Sequence, residues 1–165
     1  AITKMMQYGN GIGTLLIGVV IVLGIISGWR GLGSKTPERI ALISSIILFT
    51  AGGVIGYLIS GINVTIPAHY HGSIVGVTIA FMGMTYHLLP RFGYQITSLK
   101  LAKIQPAILC LGQMCHIIGL AWSGGYGVQR KTAGAEQGLE ELGAQMGMKL
   151  VGAGAGIAFI GGLLF

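Results

Sequence analysis

Five stretches of this chain run for about twenty residues with almost no charge: Gly9 to Trp29, Ile40 to Ser60, Ala68 to Leu89, Gln105 to Ser123 and Met146 to Phe165. A helix rising 1.5 Å per residue needs about 20 of them to cross the hydrocarbon core of a bilayer. Only 8% of the 165 residues are charged, against roughly 25% in a soluble domain. The five runs therefore predict an all-α, polytopic membrane protein with five transmembrane helices. No repeat, low-complexity tract or soluble domain interrupts them, so residues 1–165 read as a single membrane domain. Proline marks the ends: Pro37, beside Glu38, fits the first turn of the second run, Pro67 and Pro106 the opening turns of the third and fourth, and Pro90 closes the third.

Charge sets the orientation. The chain carries ten Lys or Arg against four acidic residues, for a net charge of +6. Arg30, Lys35 and Arg39 follow the first run, and Arg91, Lys100 and Lys103 follow the third, whereas the loop after the second, "GINVTIP", has no charge. Basic loops stay on the cytoplasmic side, which puts the "GINVTIP" end outside. The basic excess is thus a matter of topology, and nucleic acid is not an expected partner. Cys110 and Cys115 sit five apart within an apolar run and face different ways, so buried free thiols are expected instead of a disulfide or metal site. Glycines recur four apart at Gly9 and Gly13, Gly52 and Gly56, Gly72 and Gly76, and Gly152 and Gly156. That spacing lets membrane helices approach closely; room for a flat cofactor is the alternative.

The third run opens on "IPAHYHGSIV", with His69 and His71 two residues apart. Successive helical residues turn about 100°, so the two imidazoles leave the helix about 200° apart. They cannot share one metal ion, but each can be the axial ligand of its own centre, for which heme iron is a common case. Taken alone, two histidines at a membrane boundary can equally meet water and headgroups.

Three separated segments carry a resemblance. In "TIPAHYHGSIVGVTIAFMGMTYHLLPRFGY" stand His69, Tyr70, His71, His87, Pro90, Phe92, Gly93 and Tyr94 in the order shown by the tenth helix of the heme-copper oxidase catalytic subunit (subunit I). "LFTAGGVIG" is similar to that family's ninth helix, with Phe49, Thr50, Gly52, Gly53 and Gly56 in step. "WSGGYGVQRKTAG" is similar to the loop between its last two helices, with Gly127, Val128, Arg130 and Lys131 matched. The resemblance covers residues 36–165, the first run fitting only by position, and makes the chain look like helices eight to twelve of a twelve-helix bundle. It implies that His69 is the axial ligand of a high-spin heme and His71 one of two axial ligands of a low-spin heme. It also implies that Arg130 and Lys131 pair with heme propionates. Lys131 stands where the family has a second arginine, and an ammonium cannot form the same planar fork.

The implied function is that of the heme-bearing part of a respiratory terminal oxidase, an enzyme that reduces oxygen to water at a high-spin heme and copper. Nitric oxide reduction on the same superfamily scaffold, or a diheme electron-transfer cytochrome b subunit, are the alternatives; a transporter or structural subunit with incidental histidines is a further class. The copper ligands and the second low-spin ligand have no match here. A partner chain with the first seven helices is therefore expected, the subunit being split or cleaved. Further expected partners are membrane lipid, other oxidase subunits, and cytochrome c or quinol as donor, in a membrane most simply the prokaryotic plasma membrane.

Other candidates read as structural. His87, sixteen positions after His71, lies roughly 24 Å along the helix. His116 reads as an interhelical hydrogen bond, Met82 and Met84 as packing, Trp29 and Trp122 as interfacial aromatics, and Glu136, Glu140 and Glu141 as a solvated turn that a soluble donor could approach. Lys4, Gln7, Tyr8, Asn10 and Thr14 make the outer half of the first run polar, and no lysine there matches the family's proton-conducting one.

Overall fold

The structure, a computed structural model, describes residues 5, 16–24, 26–28 and 36–165. Residues 1–34 and 35–165 form two units. In the first, 16–24 and 26–28 are helical. The expectations placed on Lys4, Gln7, Tyr8, Gly9, Asn10, Gly13, Thr14, Trp29, Arg30 and Lys35 lie outside the described residues.

The second unit is a set of four antiparallel helices: α1 (Pro37–Tyr57), α2 (Thr65–Leu88), α3 (Leu99–Gly125) and α4 (Leu142–Leu163). All four are long and apolar enough to cross a membrane. Short 3-10 turns at Leu89–Phe92 and Gly134–Gln137 sit in the connections, and no strand occurs among the described residues. Pro37 and Glu38 occupy the first turn of α1, as expected. Pro106 does not open α3. The helix starts two turns earlier, where the Ser98 hydroxyl accepts from the Leu101 amide at 3.4 Å, and Pro106 is buried in its interior. Lys100 and Lys103 belong to this extension; an apolar-length criterion sees only the part of a helix that lipid would surround.

Glycine decides how close the helices come. Gly52 of α1 lies against Gly72 of α2, where a Cβ on Gly72 would stand 2.7 Å from the Gly52 Cα; a Cβ on Gly76 would stand 2.8 Å from the Phe49 amide. These are two of the predicted glycine pairs used for packing. At Gly152 and Gly156 no described residue lies within 4 Å of a Cβ. α4 packs through a different set, Gly147, Gly154 and Gly161, spaced seven apart. Gly147 lies on Ser123 and Gly119, Gly154 on the His116 amide, and Gly161 on Leu109 of α3. Seven is nearly two helical turns, so all three stay on one face.

The buried core of Leu48, Ile79, Ile117 and Val128 joins three helices and one loop. Polar pins hold it at both ends. At the α1 N-terminal end, fully buried Gln105 donates to the Gly161 carbonyl at 2.9 Å and accepts from the Tyr86 hydroxyl at 3.1 Å, linking α2, α3 and α4. At the opposite end Ser123 donates to the Ala144 carbonyl at 3.1 Å. The thiol of half-buried Cys110 donates to the Ser44 carbonyl at 3.4 Å, and both cysteines are free, as expected. Lys149 is the one charge within α4; it is exposed, roughly 10 Å from the helix start, near enough for its stem to reach an interface.

Gly154→Val should lower the melting temperature of the detergent-solubilised protein by several degrees, since overpacking costs about 1–3 kcal/mol. Gly162→Ala, where a Cβ meets nothing, should leave it within a degree of wild type.

Candidate functional site

The two histidines near the start of α2 leave it on different sides, toward different helices. His69 turns to α1, where its Nδ1 lies 2.7 Å from the Gly52 carbonyl oxygen. A carbonyl can only accept, so Nδ1 carries a proton, and in the neutral ring the lone pair is then on Nε2. That is the arrangement by which metal-ligating histidines are usually held. Gly56, one turn along α1, makes room for the ring: a Cβ there would stand 2.7 Å from Nδ1 and 2.8 Å from Cε1. The His69 position thus depends on two glycines of a neighbouring helix. His71 turns instead to α3, with its ring centroid 5.0 Å from that of His116 at 71°. Tyr70 flanks it at 5.0 Å.

The basic loop is brought to the same end although it lies some sixty residues downstream in sequence. The Val64 amide donates to the Val128 carbonyl at 3.0 Å, and Asn63 and Gln129 form an isolated antiparallel bridge. Val128 is 0% exposed. Gly124, at the end of α3, has the Thr65 hydroxyl and amide where its Cβ would be. Asn63 completes the junction by accepting from the Thr65 amide at 3.0 Å and donating to Ser60 at 3.0 Å. Arg130 and Lys131 therefore leave the loop beside the first turn of the helix that bears His69 and His71. The Arg130 Nε is buried and has no hydrogen-bond partner among the described residues. Such an atom costs free energy unless something else completes it. Lys131 has φ 62°, the one non-glycine residue described with a left-handed backbone, and such conformations gather at ligand clamps.

The remaining sequence candidates fall elsewhere. His87 is exposed in the last turns of α2, away from the His71 end. His116 makes the expected interhelical bond, Nδ1 donating to the Val151 carbonyl of α4 at 3.1 Å. Its ring contact with His71 joins residues forty-five positions apart with no shared motif, so no sequence signal marks it. Met82 packs and its sulfur accepts from Gln105 at 3.4 Å; Met84 and Trp122 are exposed. Glu136 lies in the exposed 3-10 turn, with Glu140 and Glu141 exposed after it. A separate apolar cleft of about 630 Å³ between α1 and α3, lined by Ile46, Thr50, Val54, Met114 and Ile118 among others, includes none of these residues. Among the described residues no three His, Cys, Asp or Glu side chains gather to hold a metal ion.

The chain belongs to the cytochrome c and quinol oxidase polypeptide I family, which matches residues 1–158. The family is that of heme-copper oxidase-type membrane subunits, and this chain matches part of one. An uncharacterized protein of Rickettsia prowazekii (strain Madrid E) is 41% identical over 135 residues, which is 75% of this chain and 26% of that protein. An uncharacterized protein of Aquifex aeolicus (strain VF5) is 31% identical over 86 residues, 52% of this chain and 22% of that protein. The chain spans about a quarter of the length of these relatives. No solved structure matches it.

The loop docking is open to a direct check. Directly opposed residues of an antiparallel bridge have Cα atoms about 4.5–5.5 Å apart, within disulfide range. Asn63→Cys combined with Gln129→Cys should therefore cross-link under mild oxidant, read as a linked peptide by mass. Asn63→Cys with Tyr94→Cys, beyond the far end of α2, should not.

Proposed function

We propose that this chain is the heme-bearing C-terminal part of the catalytic subunit of a respiratory terminal oxidase, with residues 1–165 forming one membrane domain within a twelve-helix bundle. The observation that carries the reading is the pair of histidines on opposite sides of α2, one of them held with Nε2 free by the Gly52 carbonyl. Hemes held by the two imidazoles would supply an electron route to a heme and copper centre that reduces oxygen to water.

His69 binds the high-spin heme iron through Nε2. Gly52 fixes its tautomer and Gly56 its ring position. His71 binds the low-spin heme iron on the other side of the same helix, so that a single rigid element sets the separation of the two centres. Arg130 meets a propionate, which would complete its orphaned Nε by a charge-assisted bond. Lys131 serves a propionate as a point charge without a fork.

The copper ligands and a second ligand of the low-spin heme would come from helices outside these residues. The partners are further oxidase subunits, membrane lipid, and cytochrome c or quinol as electron donor. The charge asymmetry of the connections supports an orientation with the histidine end outward, in the plasma membrane of a prokaryote.

His71→Ala should abolish the low-spin heme signal of the purified complex, whereas His69→Ala should remove the heme that binds carbon monoxide and leave the low-spin signal. Loss of both signals in equal measure from either change would leave the two assignments without support.

A further inference from the structure

The neighbour of His71 on α3, His116, has no part in the ligand scheme above, yet its ring meets the His71 ring. The two centroids are 5.0 Å apart and the planes 71° from parallel, an edge-to-face contact. No hydrogen bond to the His71 ring is made by any described residue. Two rings flank it, that of its sequence neighbour Tyr70 and that of His116.

His116 is itself fixed. Its Nδ1 donates to the Val151 carbonyl at 3.1 Å, so two of its torsions are tied to α4. Its own backbone amide is pressed onto Gly154 of α4, and Gly112, one turn before it, is pressed onto Ala158. The ring is thus anchored to the most closely packed helix pair of the unit and presented to α2.

We propose that His116 is a positioning residue for His71, holding the plane of the axial imidazole in one orientation relative to the low-spin heme. This rests on the reading of His71 as that heme's ligand. A metal-ligating histidine takes its orientation from neighbours outside the ligand set, and those neighbours tune the metal. Here the tuning group is an aromatic edge in place of the usual carbonyl or carboxylate.

Two variants separate the ring from its tether. His116→Asn retains a donor toward the Val151 carbonyl and removes the edge. His116→Phe retains an edge and removes the tether. Each would be purified as the assembled complex beside wild type and His71→Ala. Heme stoichiometry, the carbon monoxide spectrum, the g-values of the low-spin ferric heme and its reduction potential would be measured.

The expected result is that both variants keep two hemes and the wild-type carbon monoxide spectrum. His116→Asn should move the low-spin g-values and potential clear of wild type, and His116→Phe should broaden the low-spin signal by letting the edge wander. If only one variant assembles, the same reading applies to it. Low-spin signals superimposable on wild type in the assembled variants, with His71→Ala lacking that signal, would overturn the positioning role alone and leave His116 as an interhelical tether. A low-spin signal that survives His71→Ala would overturn the ligand assignment and the positioning role together.

Discussion

The arrangement around the histidines depends on the approach of α1 to α2 at Gly52 and Gly72. Helices of ordinary side chains pack with axes 8–10 Å apart, and the small residues at this crossing let the backbones come closer. The Gly52 carbonyl then lies 2.7 Å from the His69 Nδ1, which fixes the tautomer and leaves Nε2 to a metal. Gly56 clears the volume that the ring fills. A Cβ at Gly52 would meet the backbone of Gly72 and Ser73, and separating the helices to admit it would break the bond to His69. One contact between two glycines is therefore both a packing feature and the support of a candidate ligand.

A second close contact does comparable work on the other side of α2. α3 and α4 meet through glycines spaced by seven, which bring Val151 to His116 and carry the ring of His116 to His71. The end of α3 also delivers the loop with Val128, which is tied to Val64 one residue before α2 begins. Both faces of the helix and the loop at its head are thus held by elements whose spacing is set by missing side chains. In a membrane, where helix association gains little from the hydrophobic effect, such packing is the main source of cohesion.

Much of this was legible in the sequence. Span length located the four long helices of residues 36–165, and Pro37 and Glu38 marked the start of α1. The two-residue spacing of His69 and His71 was enough to say that they leave opposite sides. What could not be read was partner choice. The pair Gly152 and Gly156 carries the same four-residue spacing as Gly52 and Gly56, but no described residue packs on it, while α4 packs through a set spaced by seven. Spacing shows which residues share a face and says nothing of what that face meets. The contact of His116 with His71 is of the same kind, a tertiary fact between distant positions. Pro106 lies inside α3 and not at its start, because a proline can be accommodated within a membrane helix where neighbours satisfy the freed backbone groups.

The central claim is that this chain carries two hemes, one on each side of α2. It is tested most directly by a reduced-minus-oxidised spectrum and a carbon monoxide difference spectrum of the purified complex, with copper and iron measured on the same sample. The account predicts two hemes, one of which binds carbon monoxide, with copper present. Two hemes with non-heme iron in place of copper would contradict the oxidase reading and favour nitric oxide reduction. An absence of heme would contradict the assignment of both histidines.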